Sequence, residues 1–101
     1  MKQILNFING EFVATAKQFE KRTPLDNSLI GMVHEAGKAE VDAAVQAAHD
    51  ALEGPWGKMT VVERTDILNK VADEITRRFD EFLEAECADT GKPKSLASHI
   101  D

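Results

Sequence analysis

Hydrophobic and polar positions change rhythm once along this chain, near residue 37. Before it, apolar residues come in short runs separated by turn formers. The runs "ILNFI" and "EFVA" flank Asn9-Gly10, a dipeptide that adopts the φ > 0 conformations of a tight turn, so a β-hairpin is predicted there. A second extended pair is predicted by "KQFEKRT" and "LIGMVHEA", joined by a polar turn over residues 24–28. Alternation in the latter would put Ile30, Met32 and His34 on one face and Gly31 and Val33 on the other.

After Gly37 the period becomes helical. Val41, Val45, Ala48 and Leu52 recur at spacings of four, three and four and form one apolar stripe. Glu40 and Asp42 are expected in the first turn, where the positive end of the helix dipole favours them. Gly54-Pro55 should stop this helix, with Gly54 in a left-handed cap and Trp56 in a short link. Thr60 and Glu63 have capping-box spacing and predict the start of a second helix. Its stripe runs through Val61, Arg64, Leu68, Val71, Ile75, Phe79 and Phe82, widened by Ile67 and Ala72, with a bend expected near Phe79. Gly91 should end it, and Pro93 fits the first turn of a further helix. That last pattern is broken off at His99-Ile100-Asp101 without a cap, which predicts a chain that continues.

These patterns predict an α+β segment: a β-hairpin region over residues 1–36, then three or four α-helices over residues 37–101. A chain of 101 residues makes at most one small domain. Net charge −6 opposes a nucleic-acid partner, which would need a basic face. One cysteine cannot form an internal disulfide, and a reducing, cytoplasmic setting is expected. The opening "MKQILNFINGEF" reaches Asn6 too early for a signal-peptide apolar region. No run approaches the roughly 20 apolar residues of a spanning helix, so no membrane partner is expected.

The stretch "ECADTGKP" carries two candidate chemistries. Asp89-Thr90-Gly91 has the residue order of an aspartic-protease loop, but that chemistry needs an Asp leaving a buried strand and a second carboxylate sharing its proton. The flanking "FDEFLEAECA" is charged and helix-periodic, so a helix stop is expected instead. Cys87 lies near a helix C-terminus between Glu86 and Asp89, where negative potential opposes a thiolate, and His99 is twelve residues away. A structural role is expected for it. His34, His49 and His99 lack metal-ligand spacing, and "EAGKAE" lacks the glycine spacing of a phosphate loop. Trp56 reads as a plug at a helix link. The acidic residues Asp73, Glu74, Asp80, Glu81, Glu84 and Glu86 read as a solvated helix surface. No catalytic, cofactor-binding or metal residue is assigned within the chain.

One resemblance covers nearly the whole sequence. "FINGEFV", "TPLDNSLIGMVHEAG", "EVDAAVQAAHDAL", "PWGKMTVVER", "ILNKVADEI" and "DTGKP" follow one another as in the NAD(P)-dependent aldehyde dehydrogenase superfamily. "GPWGKMTVVER" and "RFDEFLEAECADTGKPKSLASHID" are especially similar to the group acting on 2-hydroxymuconate semialdehyde in bacterial catechol meta-cleavage. The resemblance implies a longer cytoplasmic enzyme whose α/β Rossmann-like cofactor domain begins with this segment. It implies NAD as cofactor, a small aldehyde as substrate and a homo-oligomer, dimer or tetramer. It also implies that the nucleophilic cysteine, the glutamate, the asparagine and the cofactor loop lie outside this chain, because Cys87 does not follow the family's Gly-Gln pair. Some relatives bind a monovalent cation through backbone carbonyls at positions matching Lys21, Arg22 and Asp89. Two basic side chains there depart from the family's usual small or apolar residues. The competing reading is a free-standing helical module that binds a partner through its apolar stripes.

Overall fold

A computed structural model describes residues 2–100. Met1 and Asp101, the outer limits of the two predicted regions, lie outside the described residues, as does the predicted uncapped end at Asp101. Among these described residues, five short strands, β1 (Lys2–Ile4), β2 (Asn6–Ile8), β3 (Glu11–Val13), β4 (Gln18–Arg22) and β5 (Leu29–His34), precede the helices. The helices are α1 (Lys38–Glu53), α2 (Pro55–Lys58), α3 (Val61–Arg77), α4 (Phe79–Thr90) and α5 (Lys94–Ile100).

Both predicted antiparallel pairs form. β2 and β3 pair with Phe7 opposite Phe12, and Asn9 and Gly10 between them take φ of 52° and 80°. The two rings meet edge to face at 5.0 Å between centroids. β4 pairs antiparallel with β5, with an irregularity between Lys21 and Arg22. The apolar run "ILNFI", however, is not one strand. Residues 2–4 leave the hairpin and add to β5 in parallel, Lys2 opposite Gly31, giving a three-stranded sheet ordered β1-β5-β4. Parallel pairing joins residues distant in sequence, and no local turn signal announces it.

α1 begins after Gly37, whose N–H donates to the Glu40 carboxylate at 3.0 Å. Asp42 stands beyond the first turn and pairs instead with Lys38 at 2.6 Å, one turn away. The helix ends at Gly54, but in an extended conformation (φ −93°, ψ −163°) and not the predicted left-handed one. The reason is that Pro55 starts α2 immediately, so the chain must turn outward there. Trp56 therefore lies in a single helical turn. Gly57 is required by close approach: a Cβ there would collide with the Leu52 carbonyl of α1.

The Thr60–Glu63 capping box is formed reciprocally, at 3.1 and 3.0 Å. The predicted bend falls at Arg78, whose φ of −104° and ψ of 26° separate α3 from α4. Gly91 closes α4 in the left-handed region, φ 76°, with its N–H on the Cys87 carbonyl. Pro93 precedes α5, and its carbonyl accepts from Leu96 and Ala97.

The core is small. Cys87 and Ala97 are buried on α4 and α5, with Thr23 and His34 as buried polar residues. The apolar stripes of α1 and α3 face outward: Leu52, Val61 and Leu68 are 65%, 70% and 60% exposed. α1 lies near β2, and α3 meets α4 only around the Arg78 bend.

Candidate functional site

The two chemistries suggested by "ECADTGKP" resolve into helix architecture. Asp89 and Thr90 form the last turn of α4, where the Thr90 hydroxyl donates to the Glu86 carbonyl at 2.8 Å and accepts from the Lys92 N–H at 3.3 Å. A carboxylate on a helical turn lacks the strand-borne loop that an aspartic protease requires. Cys87 is a free cysteine, only 6% exposed, on the same turn of α4 whose carbonyl receives Gly91. A buried thiol on a helix interior face is a packing residue.

The histidines are dispersed over β5, α1 and α5. Among the described residues, no group of three His, Cys, Asp or Glu side chains comes together as metal ligands would. His34 is the one that sequence pattern undervalued. It is 7% exposed; its Nδ1 accepts from the Thr15 N–H at 2.9 Å, and its Nε2 lies 2.7 Å from the Gln3 amide oxygen. A donor aimed at Nδ1 leaves Nε2 as the protonated nitrogen, donating to Gln3. The ring thus ties β1, β5 and the segment after β3 together, and Asn6 Nδ2 adds a bond to its carbonyl at 3.4 Å. Period two alone put His34 on a sheet face; it could not give the ring these partners.

The acidic residues of α3 and α4 are in part paired on the surface. Glu74 bonds Arg77, and Glu81 receives the Arg78 guanidinium at 2.8 and 3.2 Å. Each carboxyl is held below the ordinary Glu range first by its arginine hydrogen bond. These pairs brace the two sides of the bend at Arg78.

Folding brings Lys21 and Asp89 together across 68 residues of sequence. The Lys21 ammonium lies 2.9 Å from Asp89 Oδ1 and 3.5 Å from the Asp89 carbonyl oxygen. Arg22, on the opposite side of the strand, turns away to Glu20 and to the Asn27 carbonyl at 3.0 Å. The residues present do not fit an additional monovalent cation at Asp89, because the ammonium already engages its carboxylate Oδ1 and its carbonyl oxygen.

An open apolar groove of about 290 Å³ runs along α3, α4 and α5, lined by Ile75, Phe79, Phe82, Leu83, Glu86 and Ala97. Nothing along it combines a nucleophile with a base or an oxyanion donor. No described helix is long and apolar enough to cross a membrane.

Comparison with known proteins gives this arrangement a context. Residues 12–101 match the model of the aldehyde dehydrogenase family. The whole chain is 68% identical over 103 residues to a 2-hydroxymuconic semialdehyde dehydrogenase of Pseudomonas sp. (strain CF600), of which it covers 21%. It is 52% identical over 101 residues to a 2-aminomuconic 6-semialdehyde dehydrogenase of Pseudomonas sp., again covering 21%. Among solved structures, the NAD+ complex of an aldehyde dehydrogenase from Bacillus cereus superposes with a TM-score of 0.93 at 41% identity, covering 99% of this chain and 21% of that one. The chain spans about a fifth of the length of the curated relatives it matches.

Proposed function

Because this chain belongs to the aldehyde dehydrogenase family, we propose that it is the N-terminal part of a longer NAD-dependent enzyme that oxidises 2-hydroxymuconate semialdehyde to the dicarboxylate in catechol meta-cleavage. The observation that carries this reading is the 68% identity to a 2-hydroxymuconic semialdehyde dehydrogenase, extending over the whole chain. The exposed stripes of α1 and α3 and the open groove beside α5 support it independently. They are faces built to be covered by further polypeptide.

In this reading the segment is scaffold. It supplies the first hairpins and helices of the cofactor domain, and none of its residues touches the reacting atoms. The net reaction converts the aldehyde to a carboxylate with water as the oxygen source, and NAD supplies the hydride acceptor. NAD and substrate contacts are assigned to the remainder of the enzyme. The intact protein is a cytoplasmic homo-oligomer.

The test is the intact protein from its source cells. A mass several times 11.1 kDa, with NADH formed from the semialdehyde, is the expected result. A mass of 11.1 kDa would overturn the proposal and leave a binding module, as would a larger protein that does not oxidise the semialdehyde.

A further inference from the structure

The contact between Lys21 and Asp89 joins an edge strand to the end of a helix across 68 residues of sequence. The last carbonyls of a helix have no partner within it and carry the negative end of its dipole. In α4, the Glu86 carbonyl is taken by the Thr90 hydroxyl and the Cys87 carbonyl by the Gly91 N–H. The Asp89 carbonyl instead faces the Lys21 ammonium, which the Asp89 carboxylate also holds at 2.9 Å. A second contact seats the same junction. Gly91 turns the chain so closely onto Pro24 that an added Cβ would lie 3.3 Å from the proline Cβ, and the adjoining Thr23 is buried. Two points of attachment fix where the end of β4 meets the end of α4.

A carboxylate oxygen and a carbonyl oxygen of one residue, at the negative end of a helix, are hard donors suited to a small monovalent cation. An ammonium is a compact point charge with three donors and can satisfy both. We propose that Lys21 is a covalently tethered cation clipping β4 to the C-terminal end of α4, so that this protein dispenses with an alkali-metal ion at that junction. The clip makes its stability indifferent to which monovalent cation is in solution, and removing the ammonium exposes oxygens that an alkali ion can then occupy.

The test is thermal melting of the intact protein in potassium, sodium or choline chloride at equal ionic strength, without substrate or NAD. Equal ionic strength makes general screening common to all three salts. The wild type is expected to melt at the same temperature in each. Lys21→Met, which keeps the apolar stem, is expected to melt lower in choline and to recover by about 2 °C or more in potassium or sodium. Lys21→Arg, which keeps a cation, should remain indifferent. A wild type that melts higher in an alkali salt than in choline overturns the proposal, as does a Lys21→Met protein that melts alike in all three. If Lys21→Met does not accumulate folded, the wild-type comparison decides. Because melting is read without turnover, a protein lacking semialdehyde oxidation would still give either result.

Discussion

At the scale of single residues, the best-defined interaction is the cap of α3. The Thr60 hydroxyl and the Glu63 carboxylate each satisfy the other's backbone N–H, two donors that the helix itself leaves open. Thr60→Ala should cost the intact protein about 1 kcal/mol, read from its urea midpoint at neutral pH. The Glu63 carboxyl is held below its ordinary value of 4.5, first by the Thr60 N–H and then by the Thr60 hydroxyl. A depressed carboxyl contributes its stability above the unfolded value and loses it as pH falls through the lower folded one. Glu63→Ala removes the carboxylate itself, so the gap between wild type and that variant should be full at pH 7 and narrow as pH falls through the carboxyl's ordinary value and below it. A gap that stays constant down to pH 3 would show that the carboxylate takes no part. This cap was legible because Thr and Glu three apart are a local signal. The partners of His34 were not, since Thr15 and Gln3 lie 19 and 31 residues from it.

At the scale of elements, local chemistry fixed most boundaries. Asn9-Gly10 closed its hairpin, and Gly91 ended α4 through a left-handed residue. Two of the departures share one cause, which is a neighbour that sequence spacing does not reveal. Gly54 is extended because α2 begins at once, and residues 2–4 join β5 because that strand offers a free edge. The α1–α2 corner supplies a sharp test. Gly57→Ala places a methyl against the Leu52 carbonyl and must push α2 off the end of α1. A loss of roughly 1–3 kcal/mol is expected from the denaturant midpoint of the intact protein, although alanine favours helix. An unchanged or higher midpoint would mean that α2 is free to shift. The candidate-site region was legible in the same uneven way. The helical setting of Cys87 and Asp89 could be read from periodicity, whereas the meeting of Lys21 with Asp89 required the fold.

At the scale of the molecule, the chain is too open to be complete in energetic terms. Its radius of gyration is 17.1 Å, where a compact domain of this length would have about 13 Å. It exposes 7754 Å², against roughly 5,700 Å² for a folded monomer of its mass. Leu68, Val71, Ile75 and Phe82 are among the large apolar residues left exposed on helix faces. Produced alone, the 101-residue chain should bind a hydrophobic dye and melt without a sharp transition. A steep, reversible transition from a monodisperse solution would count against the need for covering polypeptide.

The parallel pairing of β1 with β5 has a consequence in time. Lys2 meets Gly31, and β4 also depends on β5, so this sheet has no partner strand until residue 34 has been made. At roughly 5–20 residues per second on the ribosome, β1 waits about 1.5–6 s after its own synthesis. The hairpin of β2 and β3 needs no such delay, because both strands are made by residue 13.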